Sequence, residues 1–299
     1  MAVTHLDIDE LLPLLAPQQP SAPSNASKAS PEEIKPFRLH GQLSAETGSY
    51  GGLTFKKLKA DFLNDGGLLQ LQDFEAGIFG GKLNAKGQLE RVMGQPSSWS
   101  LNVALDRIKS DDLLHSLGIN RETSGLMSVK GNLRGQGDSL DELKRTASGT
   151  LSLKIERGVL RRYSSLAKVF SLLNVSQLLT FQLPDMAREG MPFNQITTTV
   201  GLKDGILSTR DFFIESNAIH LSMVGKINII KEDLDLLIGV QPLQTVDKVI
   251  SRIPVVGWIL TGGDGSLITT YFEAKGSWAD PQVTAIPVKT IASGTLDIF

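Results

Sequence analysis

Residues 55–90 read FKKLKADFLNDGGLLQLQDFEAGIFGGKLNAKGQLE. Apolar and polar residues alternate in this stretch, as at Leu58, Ala60 and Phe62, and a half-buried strand requires such alternation. The glycine-containing runs at 64–67 and 80–81 supply residues that tolerate the positive φ angles of tight hairpin turns. The stretch therefore predicts a meander of antiparallel strands, without the strand–helix alternation of a doubly wound sheet.

A second stretch repeats this pattern without a gap. Residues 193–228 read FNQITTTVGLKDGILSTRDFFIESNAIHLSMVGKIN, so residue 55 aligns with residue 193, an offset of 138 positions. Matches fall at turn glycines and apolar positions, for example Gly67 with Gly205 and Phe74 with Phe212. A shared fold constrains those positions most, which favours two copies of one sheet unit. Chance similarity between two β-rich segments is the alternative.

Composition and hydrophobic pattern divide the chain into four predicted regions. Residues 1–36 are predicted to hold a short helical segment, LDIDELLPLL at 6–15, followed by a Pro-, Ser- and Ala-rich linker or surface loop. Residues 37–160 form a first β-repeat region, and residues 161–192 an amphipathic helical insert. Residues 193–299 form a second β-repeat region that includes a C-terminal apolar hairpin.

The predicted fold class is mainly β (α+β). We expect a curled antiparallel meander sheet that forms an apolar groove, with a few amphipathic helices packed on it or inside it. Two short helices are predicted, Ser110–Gly118 and Ser139–Arg145, each with a capping residue and acids in its first turn. A sheet with one apolar face must bury that face on helices, on another sheet or on a ligand. An acyl-chain groove and a closed sandwich with a dry core are both compatible with the pattern.

Two further segments are strongly apolar, and they supply the candidate lipid or membrane contacts. The stretch 162–180 has apolar residues at near-helical spacing, which indicates a helix that is either buried against the sheet or rests on lipid. The stretch 253–260 contains Pro254 and Gly257, which indicate a bent apolar hairpin. The candidate side chains are Leu166, Val169, Phe170, Leu173, Leu178, Ile253, Val255, Val256, Trp258, Ile259 and Leu260.

The composition and motifs argue against several classes of function. The formal net charge is −2 and basic residues are scattered, so nucleic acid is not an expected partner. The chain has no cysteine, and its four histidines lack metal-ligand spacing. No nucleophile elbow or phosphate-binding loop is present. The sequence therefore predicts a non-enzymatic protein without a cofactor. It contains no run of about 18 apolar residues, as a membrane span requires, and residues 1–15 lack the basic n-region and the cleavage site expected of a signal peptide.

Several motifs, in this order, resemble the C-terminal region of AsmA-like proteins of Gram-negative bacteria. They are LDIDELLPLLAP at 6–17, the stretch from HGQLSAETGSYGG at 40–52 to the end of the first copy, and SLDELKRTASGTLSLKIERGVL at 139–160. The stretch IPVVGWILTGGDGSLITTYFEAKGSWADPQV at 253–283 is similar to the end of the larger YhdP-type members. Together with the second copy, these motifs cover nearly the whole chain.

The resemblance implies a function that the composition does not. It implies a periplasmic module, associated with the inner membrane through an N-terminal anchor absent from this chain. It implies a role in phospholipid transport between inner and outer membranes and in outer-membrane integrity. Its partners would be phospholipid acyl chains, a membrane surface and an envelope protein. A structural or protein-interaction β module of the periplasm, without a lipid site, is the alternative.

Overall fold

The computed structural model describes residues 2–10, 38–92, 94–116, 118, 123–160, 190–217, 219–242 and 270–286. The strands are β1 (Ala2–Asp7), β2 (Arg38–Tyr50), β3 (Leu53–Asp65), β4 (Leu68–Ile78), β5 (Gly81–Glu90), β6 (Ser98–Lys109), β7 (Leu126–Gln136), β8 (Ser148–Leu160), β9 (Met191–Lys203), β10 (Ile206–Glu215), β11 (Ile219–Asn228), β12 (Asp233–Pro242), β13 (Thr270–Ser277) and β14 (Gln282–Ile286). Two helices lie wholly within this part of the chain, α1 (Ser110–Ser116) and α2 (Leu140–Thr146).

All the strands belong to one 14-stranded sheet, in which each strand lies beside its neighbours in sequence from β1 to β14. Every pair is antiparallel except β1 and β2. Strands contact chiefly their neighbours in the sheet, so the sheet is open and curled, and no second sheet packs on it within the described residues. The prediction of a mainly β, curled meander is confirmed.

The chain begins differently from the prediction of a helical segment there. Leu6 and Asp7 belong to β1, and helical conformation covers residues 8–10, while residues 11–37 lie outside the described part. β1 runs parallel to β2, with Val3 beside Ala45. Leu6 is buried in a cluster with Phe55. Packing of Val3 and Leu6 on this cluster explains why the strand forms, and the β-branched Val3 favours it further.

The two predicted short helices are confirmed. α2 has Ser139 as its N-cap, and Ser139 and Glu142 form a reciprocal capping box. Asp141 and Glu142 lie in its first turn and Lys144 and Arg145 in its last, which suits the helix dipole. α1 likewise has Asp111 and Asp112 in its first turn.

The two copies of the repeated stretch have the same strand pairings at the offset of 138 positions. β3, β4 and β5 correspond to β9, β10 and β11. Leu71 pairs with Gly87 where Thr209 pairs with Gly225, and Ala76 pairs with Leu83 where Ile214 pairs with Leu221. Both central strands have a register shift just after Leu71 or Thr209, so a bulge occurs at the same place in each copy.

Bulges are a local cause of the curl, and aromatic–glycine pairs fix the register of the curled strands. Bulges interrupt β3–β4, β4–β5, β6–β7, β9–β10 and β10–β11, and a bulge bends a strand and increases its twist. Aromatic rings also lie over glycines on neighbouring strands, where a side chain in place of the glycine would collide with the ring. These pairs are Phe62 over Gly41, Phe55 over Gly48, Trp99 over Gly135 and Phe193 over Gly158. Such pairs fix the register of glycine-containing strands.

Strands of the first, second and fourth predicted regions belong to one sheet, in which β8 pairs directly with β9 across the position of the predicted insert. β9 starts at Met191, two residues before the predicted second region. Residues 161–189, which hold the rest of the predicted insert, lie outside the described part. The C-terminal apolar hairpin at 253–260 also lies outside it.

Candidate functional site

The pairings place a continuous set of apolar side chains on one face of the sheet, which we call the apolar face. Neighbouring strands are about 4.8 Å apart, so the face runs for about 60 Å from β1 to β14. Its apolar residues include Leu43, Ala45, Leu58, Ala60, Phe62, Leu69, Leu71, Phe74, Ala76, Leu83, Ala85, Leu89, Leu101, Val103, Leu105, Ile108, Met127, Val129, Leu133, Leu151, Leu153, Ile155, Ile196, Val200, Leu202, Leu207, Phe212, Ile214, Leu221, Met223, Leu234, Leu236, Ile238, Val240, Phe272 and Ala274.

The opposite face of β2–β5 is charged. Lys82 lies 3.7 Å from Glu75, and Lys86 lies 3.5 Å from Asp73. Hydrogen bonds from Gln42 and His40 hold the pKa of the Asp61 carboxyl below its usual value. Exposed ion pairs stabilise little, so their main effect is to keep this face in water while the other face is available for apolar contacts.

The apolar face is not equally buried along the strands. One edge of the sheet, which we call the turn edge, holds the connections β3–β4, β5–β6, β7–β8, β9–β10, β11–β12 and β13–β14. The other connections lie at the opposite edge, which we call the connection edge. Near the connection edge Ile108 is 0 % and Ile214 1 % exposed. Near the turn edge Leu69 is 41 % exposed, and Leu151 and Leu202 are partly exposed. From β2 to β10, the apolar face is therefore buried in a core near the connection edge and partly exposed to solvent near the turn edge.

Strands β11–β13 differ because they are buried on both faces. Leu236 and Ile238 on the apolar face are buried, and so are Leu237 and Tyr271 on the opposite face. Burial raises the pKa of the Tyr271 hydroxyl. A strand buried on both faces has a nearly continuous apolar sequence, and residues 234–240 read LDLLIGV.

A polar group interrupts the apolar face between β9 and β10. The hydroxyls of Thr198 and Thr209 lie 2.7 Å apart, and they lie 3.3 Å and 3.2 Å from Oδ1 of Asp211. The same oxygen accepts a 2.7 Å hydrogen bond from the backbone N–H of Thr199, which faces the bulge. Thr198 is buried, and Thr209 and Asp211 are half-buried. Sequence reasoning missed this group, although the repeat alignment places Thr198 and Thr209 against Ala60 and Leu71.

The side chains predicted to contact lipid lie outside the described residues, in the connections β8–β9 and β12–β13. The strand ends that flank these connections, Leu160, Met191, Pro242 and Thr270, are described. All four belong to the connection edge. The two predicted apolar segments therefore join strands at the same edge of the sheet, but nothing tests their contacts, which stay a prediction.

The described residues offer little for catalysis or metal binding. In this part of the chain, no group of three or more histidines and acids could hold a metal ion. A depression of about 490 Å³ along β1–β3 is lined by apolar residues, including Val3 and Leu58, and by polar or charged residues, including Ser44, Glu46 and Lys59. Among the helices that the structure describes, none has the length and apolarity to cross a membrane. The extended apolar face is the feature best suited to a ligand.

Comparison with known proteins agrees with this architecture. The family described as YhdP protein matches residues 3–283. The chain belongs to the YhdP family. The predicted resemblance to AsmA-like proteins is thereby confirmed, although similarity to individual relatives is low.

Two relatives of this YhdP-family chain come from Escherichia coli strain K12. AsmA family protein YhjG is 24 % identical over 170 residues, which cover 57 % of this chain and 24 % of the relative. Intermembrane phospholipid transporter YhdP is 26 % identical over 102 residues, which cover 32 % of this chain and 8 % of the relative. The aligned part of the chain thus spans less than a quarter of the length of either relative. No solved structure matches the chain.

Proposed function

We propose that this chain is a non-enzymatic module of an envelope protein that holds phospholipid acyl chains against the apolar face of its sheet. One observation carries the proposal. A single open sheet presents an extended apolar face, and from β2 to β10 the side chains of that face are partly exposed to solvent near the turn edge. A closed sandwich would have covered the face with a second sheet.

The dimensions of the face suit acyl chains. Each leaflet takes up about half of the roughly 30 Å hydrocarbon core of a bilayer, so an acyl chain extends about 15 Å. A face of about 60 Å is several chain lengths long. Burial contributes about 0.8 kcal/mol for each CH₂ group, so even a partly covered chain gains several kcal/mol.

Family membership supports the wider role in this proposal. One relative is named an intermembrane phospholipid transporter. We infer that this chain takes part in phospholipid transport between inner and outer membranes, and so supports outer-membrane integrity from the periplasm, in a protein associated with the inner membrane. The predicted apolar side chains of 166–178 and 253–260 would contact the membrane surface, beside the connection edge. An envelope protein is the further partner that this proposal includes.

The test is to purify the chain from an expressing cell and measure bound phospholipid by mass spectrometry of a solvent extract. We expect stoichiometric phospholipid. The double variant Leu69→Glu, Leu207→Glu changes equivalent positions of the two copies on the reachable part of the apolar face. It should lose most of this lipid, because a carboxylate opposes burial of an acyl chain.

The matched control is Gln70→Glu, Ser208→Glu, which adds the same charge to the next positions, on the opposite face. It should retain lipid, and circular dichroism should show that both variants are folded. Absence of stoichiometric lipid from the folded wild type would refute the lipid site and favour the structural or protein-interaction module.

A further inference from the structure

The polar group of Thr198, Thr209 and Asp211 is not required by the fold. The first copy forms the equivalent bulge with Ala60 and Leu71 in place of the two threonines. Both copies therefore bend at this point, but only the second places hydroxyls on the apolar face. Replacing apolar side chains by hydroxyls sacrifices apolar burial, so the change needs a reason other than the bulge.

The hydrogen-bond inventory shows what the group can still bind. Each threonine hydroxyl has one hydrogen. One hydrogen serves the Thr198–Thr209 contact, and the other serves the contact with Oδ1 of Asp211. The carboxylate has no hydrogen to donate, so the group presents only lone pairs. It can accept hydrogen bonds from a ligand but cannot donate one.

The charges of the two copies show the same preference. Asp73, the equivalent of Asp211, has Lys86 at 3.5 Å on the charged opposite face, whereas Asp211 contacts two hydroxyls of the apolar face. The position equivalent to Lys86 is Val224 in the second copy. Asp211 therefore keeps its carboxylate but lacks the cation, and no lysine, arginine or histidine of the described residues forms an ion pair with it. A half-buried carboxylate beside apolar residues is stabilised by a cation.

We propose that this group binds the primary ammonium of an aminophospholipid, such as one with an ethanolamine headgroup. An ammonium donates up to three hydrogen bonds and carries the missing positive charge. Leu207 lies two residues from Thr209, and Leu202 lies four residues from Thr198, both toward the turn edge of the same face. Both side chains are partly exposed, so they can contact the acyl chains of the same lipid molecule. A lipid with a net negative headgroup would meet the Asp211 carboxylate without a cation. This inference rests on the proposed function and adds a headgroup preference to it.

The experiment equilibrates the purified chain with equimolar mixed vesicles of phosphatidylethanolamine and phosphatidylglycerol that have identical acyl chains. Bound lipid is then extracted and the ratio of the two headgroups is measured. We expect the wild type to favour ethanolamine by about threefold or more, as one partly screened charge pair allows. Asp211→Asn should bring the ratio close to one, because the amide removes the charge while keeping the shape.

Two further variants make the result specific. Asp73→Asn changes the equivalent carboxylate of the first copy and should leave the ratio at the wild-type value. Thr198→Ala with Thr209→Leu gives the second copy the lining of the first, which a folded sheet already tolerates, and should also lower the ratio. This double variant decides the question if Asp211→Asn does not fold.

The possible failures can be told apart. The headgroup preference is wrong if lipid binds but the headgroup ratio is near one in the wild type. It is also wrong if the ratio is unchanged both in Asp211→Asn and in Thr198→Ala with Thr209→Leu. Either result would leave the acyl-chain site supported. Absence of either lipid from the folded wild type would overturn the proposed function and the preference together.

Discussion

The two copies of the strand unit, β3–β5 and β9–β11, have the same pairings but different surroundings. Leu83 and Leu221 occupy equivalent positions on the apolar face, yet Leu83 is half-buried and Leu221 is 1 % exposed. On the opposite face Lys86 is exposed, whereas its equivalent Val224 is buried. Register therefore follows from the local pattern, while burial depends on what lies beside the unit.

The neighbouring strands account for part of this difference. β5 pairs with β6, which carries polar or charged residues at Asn102 and Asp106. β11 pairs with β12, where Leu236, Leu237 and Ile238 are all buried. The first copy thus resembles a sheet with one face in water, and the second resembles the interior of the protein. We therefore expect equivalent substitutions to cost more stability in the second copy than in the first.

The largest expected effect comes from a feature that the copies share. Phe55 and Phe193 are equivalent, are 6 % and 4 % exposed, and lie over Gly48 and Gly158. Phe55→Ala and Phe193→Ala should each lower the free energy of unfolding by about 3–5 kcal/mol, because each leaves a cavity beside a glycine. Denaturant titrations of both variants provide the measurement. Losses that differ by more than about 2 kcal/mol would show that these sites are not equivalent.

A smaller effect should separate the copies. Leu221→Ala should lower the free energy of unfolding by about 2–5 kcal/mol, and Leu83→Ala by about half as much, because the side chain of Leu83 is already partly in water. The two substitutions remove the same atoms from equivalent positions, so each is the control for the other. If denaturant titrations give equal losses, the neighbouring strands do not determine how much each leucine contributes to stability.

Local patterns made much of the fold predictable. Alternation in 55–90 and 193–228 predicted the strands, and the turns at 66–67 and 204–205 have the positive φ values that hairpins need. The capping signals of α1 and α2 were equally local. β1 was missed because a strand of this length depends on its partner: the packing of Leu6 against β2 and β3 decides its conformation, and the sequence of residues 2–7 alone does not.

The candidate site was less predictable than the fold. An apolar face could be inferred from alternation, but its unequal burial depends on packing between strands far apart in sequence. The contact between Thr198 and Asp211 requires a bulge that brings a β10 carboxylate to a β9 hydroxyl, and alternation does not reveal the position of a bulge. Comparing the three-threonine run 197–199 with Lys59–Asp61 was the available signal. The apolar segments that the sequence favoured lie outside the described residues and stay predictions.

The smallest effect should distinguish the opposite faces of the two copies through pH. His220 corresponds to Lys82, packs against the ring of Phe213 at 5.2 Å between ring centroids, and lies between Glu215 and Gln241. Burial lowers the pKa of the His220 imidazole, and Glu215 and Gln241 offset this only in part. The folded-state pKa is then below the unfolded value of about 6.5. Stability from the neutral ring is therefore full above about pH 6.5 and is lost as the pH falls through the folded-state pKa.

We expect the free energy of unfolding of the wild type to fall by a few tenths of a kcal/mol more than that of His220→Gln between about pH 7.5 and 5.5, since water screens the partly exposed ring. Subtracting the variant removes the titration of every other group. Lys82→Gln is the matched control in the first copy, and it should follow the wild-type pH dependence, because it leaves His220 and its surroundings unchanged. The opposite result would be a wild type that gains stability relative to His220→Gln on acidification. It would mean that attraction of the His220 ring to Glu215 outweighs the effect of its burial. The opposite face of the second copy would then be more hydrated around His220 than the buried neighbours Ser222 and Val224 indicate.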